Sequence, residues 1–176
     1  MFIPGILISI VTFPGVIVHE LAHQLFCRWC KVPVFKVVYF QLENPVGYVL
    51  HEIPDSKWKS ILIGMGPFFL NTVLGALIAF PAALPVFKFG NANFLDYLLI
   101  YLGVSVAMHA FPSTGDASSI WKHVSDKNTP FLIRLIGYPV VGLIYVGSLA
   151  RFFWVDLLYG IGVAIGLPNL IISLVA

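Results

Sequence analysis

Phe13-Pro14-Gly15-Val16-Ile17-Val18-His19-Glu20-Leu21-Ala22-His23-Gln24-Leu25-Phe26-Cys27 reads as one apolar helical run interrupted by a single ionisable cluster. His19 and His23 stand four residues apart, so on a helix they share a face and both imidazoles can reach one cation, with Glu20 beside it. This is an HExxH motif. Two neutral imidazoles supply nitrogen ligands to zinc at about 2.0–2.1 Å, and the metal lowers the pKa of bound water toward about 7. Glu20 is then placed to take the water's proton as it attacks a carbonyl and to return it to the leaving amine. A purely structural polar cluster is the competing reading. Ionisable groups inside a membrane helix are costly and mark functional sites, which favours the metal.

The composition around this run identifies its solvent. Of 176 residues, 59% are hydrophobic and 10% charged, against roughly 25% charged in a soluble domain. So few charges cannot cover a water-soluble surface, and a lipid bilayer is the expected partner of a multi-pass protein of the cell membrane. The net charge of +2, with basic residues scattered, excludes nucleic acid as a partner. Residues 1–176 read as one membrane-embedded metalloprotease domain, with a catalytic core over about 2–126 and additional helices over 130–176. No repeat or polar linker marks a second domain.

A membrane span needs about 20 predominantly apolar residues. Five stretches meet or approach this: residues 2 to about 27, the uncharged interval between Lys59 and Lys88, 97 to about 111, 131–150, and 157–176. Four or six spans are also compatible, because residues 151–156 alone separate the last two and Pro139 and Pro168 can kink them. The expected fold class is an all-α polytopic membrane protein of about five transmembrane helices. Arg28, Lys31, Lys36, Lys57, Lys59, Lys122 and Lys127 follow spans one and three, whereas Lys88 and Arg151 fall in the other segments. This bias puts the first two segments in the cytoplasm and the N-terminus outside. Trp29, Trp58, Trp121 and Trp154 stand near span ends, as an aromatic belt requires. With neither a basic n-region nor a small-residue cleavage site, the first helix is expected to be retained.

Residues 34–42 and 47–53 are rich in β-branched and aromatic side chains, and Glu43-Asn44-Pro45 between them is a turn signal. A small β-hairpin is expected between the first and second spans. Unpaired backbone cannot face lipid, so the hairpin belongs at the interface or in a protein-lined cavity, unless it is a plain connector.

Two further constellations carry polar groups into apolar surroundings. Gly66-Pro67-Phe68-Phe69-Leu70-Asn71 places one amide in the second span; Asn71 either bonds a neighbouring helix or orients a substrate carbonyl. Phe111-Pro112-Ser113-Thr114-Gly115-Asp116 breaks the third span. Asp116 either joins the two histidines as third ligand, leaving a fourth position for water, or caps the following helix. His109 is the rival polar group, but on a regular helix it lies about 10 Å deeper.

An HExxH helix, a hairpin, a helix with Gly-Pro and Asn, and a Pro-containing break ending in Asp together resemble the site-2 protease family of intramembrane zinc metalloproteases. The similarity covers roughly residues 13–116. It implies a three-helix catalytic core with zinc held by His19, His23 and Asp116, Glu20 as base, and Asn71 as a catalytic polar group. It also implies hydrolysis of peptide bonds in transmembrane protein or peptide substrates near the cytoplasmic leaflet, with the hairpin presenting an extended substrate strand. Two motifs depart from the family pattern. GPxxN is here GPxxxN, which rotates the amide by about 100°, and Asp116 stands between Gly115 and Ala117 where the family has Leu-Asp-Gly. The family's upstream asparagine is also missing near His109.

The remaining polar residues read as surface or packing chemistry: His51 and Glu52 in the hairpin, His123 in a loop helix, Asp96 and Asp156 at span ends. Cys27 and Cys30 form a CxxC, by default two free thiols in a reducing compartment. Two other functions use the same residues: a non-catalytic zinc- or client-binding membrane protein, or a membrane thiol oxidoreductase based on Cys27 and Cys30. No second cysteine pair exists to relay electrons in the latter.

Overall fold

A computed structural model of the chain describes residues 5–175; the expected start of the first span at Phe2 and end of the last at Ala176 lie outside the described residues. The fold is helical with a two-stranded antiparallel sheet. Three helices are long and apolar enough to cross a membrane, or four if a bent pair forms one span.

That bent pair corrects the expectation of one continuous first span. Helices α1 (Gly5–Val11) and α2 (Phe13–Trp29) meet at about a right angle, 90°, around Thr12. Pro14 has no N–H, and its ring crowds the carbonyl of Ile10, which favours ending one helix and starting the next at this point. Thr12 leaves the helical backbone, and its hydroxyl donates to the Ile8 carbonyl at 2.7 Å. The HExxH motif therefore lies well inside α2, with α1 folded across its start.

Strands β1 (Val34–Val38) and β2 (Tyr48–His51) form the hairpin, shorter than the sequence suggested. The connection closes on itself through Gln41 N–H to the Val46 carbonyl at 2.7 Å. Helix α3 (Lys57–Ala83) continues as a π-helical segment to Phe89, filling the expected uncharged interval. Helix α4 (Phe94–Met108) opens on an Asn93–Asp96 capping box and has 15 residues. At 1.5 Å per residue it is about 22 Å long, short for a span. It is shielded by α3 and continues, after the Pro112 break, as α5 (Thr114–Val124) along the same neighbour.

Small residues make the α3–α4 contact. Gly75 and Ala79 on α3 face Gly103 and Ala107 on α4, so the two backbones approach closely, the usual device where apolar side chains gain nothing by leaving lipid. At the other end of α3, Lys57 Nζ donates to Thr129 Oγ1 at 2.7 Å. The two lysine-rich segments thus share one end of the bundle, as their charge bias requires.

Helix α6 (Phe131–Ala150) matches the expected fourth span and runs unbroken through Pro139. It returns along α5, with Gly137 on Val124 and Gly147 on Phe111. Its end at Arg151 therefore reaches the Pro112 break. Broken backbone there offers carbonyls, and the Arg151 guanidinium donates to Phe111 O at 2.7 Å. The last segment is α7 (Val155–Ile161), a π-helical stretch, and α8 (Leu167–Val175), with Gly160 against Met108.

A methyl on Gly103 would meet Ala79 Cβ and the Gly75 carbonyl oxygen, each at 2.7 Å, whereas one on Gly142 meets nothing within 4 Å. Gly103→Val should cost about 1–3 kcal/mol through overpacking, read as a lower melting temperature in detergent. Gly142→Ala should melt as the wild type does; equal melting of both variants would refute the tight α3–α4 contact.

Candidate metal centre

Helix α2 carries His19, Glu20 and His23 into the bundle, where Glu20 and His23 are each 7% exposed. The imidazole Nε2 atoms lie 3.2 Å apart. Each ring is fixed from behind: His19 Nδ1 donates to the His109 carbonyl at 2.6 Å and His23 Nδ1 to the Ile63 carbonyl at 3.0 Å. A carbonyl can only accept, so each Nδ1 carries the ring proton and both Nε2 atoms present lone pairs. Two lone pairs aimed at one point call for a cation between them.

Asp116 reaches the same point from α5. Ser113 caps that helix, and Asp116 Oδ2 accepts from the Ser113 N–H and hydroxyl, both at 2.7 Å. The other carboxylate oxygen, Oδ1, faces His23 Nε2 at 3.5 Å. The two readings of Asp116 are therefore compatible, because one oxygen closes the capping box and the other points at the imidazoles.

The ligand atoms of His19, His23 and Asp116 lie within 4.8 Å of one another. Tetrahedral zinc with ligands at about 2.0–2.1 Å separates its ligand atoms by roughly 3.3 Å, so two neutral nitrogens and one carboxylate oxygen fit that ion and leave a fourth position. Outer hydrogen bonds of the kind made by both Nδ1 atoms are the usual supports of metal-binding histidines.

The group opens into a cavity of about 1050 Å³ that Glu20 also lines. The hairpin turn and β2, from Asn44 to Val49, form one wall, and Ile6, Ile8 and Ser9 of α1 form another. Gly47 comes so close that a Cβ there would lie 2.8 Å from Glu20 Cγ. His51, read as surface chemistry, belongs to this lining.

Other polar residues lie behind the group. Asn71 is fully buried; its amide donates to the carbonyls of Gly15, Val106 and His109 at 3.4, 3.2 and 3.3 Å. It thus braces the carbonyl that orients His19 and does not line the cavity. His109 lines the cavity, but its ring Nε2 lies 2.8 Å from Thr12 Oγ1; only its backbone carbonyl hydrogen-bonds His19. Cys27 is buried and Cys30 half-buried, both free thiols. The sequence reading missed the Ile63 carbonyl, a backbone atom with no residue signature, and Arg151, whose isolation between apolar runs was the available signal.

With this geometry in hand, comparison with known families is informative. The family model DUF3267, described as "Putative zincin peptidase", matches residues 12–129. Those residues include α2, the hairpin, α3, α4 and α5, and so every side chain of the cluster. Comparisons with curated proteins and with solved structures found no match. A motif, a three-residue donor set and a match over two thirds of the chain agree: the chain belongs to this zincin peptidase family, whose cofactor is zinc.

Proposed function

We propose that the chain is an intramembrane zinc metalloendopeptidase of the site-2 protease type, cutting transmembrane proteins or peptides near the cytoplasmic leaflet of the cell membrane. The observation that carries this reading is the convergence of His19, His23 and Asp116 beside Glu20, in a cavity walled by a β-strand and enclosed by apolar helices. A peptide threaded there is extended along the hairpin, since β2 pairs on one side with β1 and has its other side free for strand addition. The cytoplasmic orientation rests on the lysines gathered at the Lys57–Thr129 end of the bundle.

His19, His23 and Asp116 would hold zinc, which when bound supplies Lewis-acid polarisation and a water of lowered pKa. Glu20 accepts the proton of the attacking water and passes it to the amine nitrogen as the carbon–nitrogen bond breaks. Water is thereby added across the peptide bond, giving one carboxylate and one amine.

The deciding experiment is purification in detergent, zinc analysis, and incubation with single-span peptides. Wild-type protein should hold about one zinc and cleave, while Glu20→Gln should keep the metal and lose at least 100-fold in rate. Full cleavage by that variant would sink the mechanism; zinc binding without cleavage by the wild type would favour a binding role. Asp116→Ala should lose zinc and His109→Ala retain it, because only the His109 carbonyl touches His19. The reverse pattern would replace Asp116 by a third histidine. Gly47→Val, which crowds Glu20, should leave zinc in place and lower cleavage; unchanged kinetics would remove the hairpin from the substrate path.

A further inference from the structure

Pro67 occupies the centre of α3 and is fully buried, yet an interior proline removes a helical hydrogen bond and disfavours the helix. In an α-helix the N–H of residue i donates to the carbonyl of residue i−4, so the carbonyl deprived of its donor by Pro67 is that of Ile63. It is this carbonyl that accepts from His23 Nδ1 at 3.0 Å. A second interior proline on the same helix, Pro81, deprives the carbonyl of Leu77, which receives no imidazole. The His109 carbonyl that orients His19 is likewise beyond the end of α4, where the Ser113 N–H four residues on is turned to Asp116.

We infer that Pro67 is a positioning residue for the metal centre: its missing N–H reserves the Ile63 carbonyl for the imidazole of His23. The inference rests on the ligand role proposed for His23 and adds a cause for the proline. A competing N–H from residue 67 would draw the carbonyl into the helix ladder. His23 would then lose its fixed tautomer and ring angle, and with them part of its affinity for zinc.

The test separates this role from packing because the two predict opposite changes. Pro67→Ala and Pro67→Ser both restore the N–H, so each should melt in detergent at or above the wild-type temperature. Each should also bind zinc about 10-fold more weakly in chelator competition, at the lower end of the loss typical of outer hydrogen-bond partners. Pro81→Ala should show the same gain in helix stability with zinc affinity unchanged. Zinc affinity within twofold of wild type in both Pro67 variants would overturn the inference. So would weaker binding accompanied by lower melting, or failure of both variants to fold, since either assigns Pro67 to packing. His23→Ala, measured in parallel, tests the underlying reading: if it binds zinc as the wild type does, the metal centre itself is misassigned.

Discussion

Two imidazole N–H groups inside an apolar helix bundle need acceptors, and the rest of the site is arranged around where those acceptors can be found. A regular helix offers few unoccupied ones in its interior, because each carbonyl already accepts from the N–H four residues on. Carbonyls become available where helices break or carry proline. The chain supplies one at each kind of place: Ile63, four residues before Pro67, and His109, at the end of α4 before Pro112. Fixing both rings by Nδ1 turns both Nε2 lone pairs onto one point 3.2 Å across. The prolines of this chain are thus placed where backbone acceptors are needed as well as where the chain turns.

The same break serves the third member. Ser113 and Asp116 cap α5 reciprocally, which spends one carboxylate oxygen and aims the other. Arg151 and Asn71 hold the broken segment from either side, Arg151 through the Phe111 carbonyl and Asn71 through that of His109. Arg151 supplies a donor to a carbonyl freed by the break, and Asn71 adds a second donor to the carbonyl that already accepts from His19. Arg151 lies beyond residue 129, outside the family match, so the C-terminal helices reach back to brace the matched core. Close packing of α3 on α4 through Gly75, Ala79, Gly103 and Ala107 keeps these carbonyls in register with α2.

Access to the centre is shaped by two segments that are not themselves spans. The right-angle bend at Thr12 lays α1 over one side of the cavity, and the hairpin closes another with Gly47 against Glu20. Proline at residue 14 favours the bend, and glycine at residue 47 permits the approach. Each is a local backbone property with a consequence for what can enter.

Local chemistry was legible in the sequence. The i, i+4 spacing of His19 and His23 put both rings on one helix face, the hydropathy located α3 and α6, and the Pro112 break marked where Asp116 would leave the helix. These follow from periodicity, hydropathy and the geometry of proline, which act over a few residues. What the tertiary structure decided lies between segments. Asn71 and His109 looked like active-site side chains because a polar group in an apolar run is costly. The partners of Asn71 turned out to be backbone carbonyls and that of the His109 ring the Thr12 hydroxyl, pairings that no residue type announces. Arg151 lies at the Pro112 break for the same reason, since a guanidinium follows its acceptors, and those acceptors exist only once α6 has packed along α5.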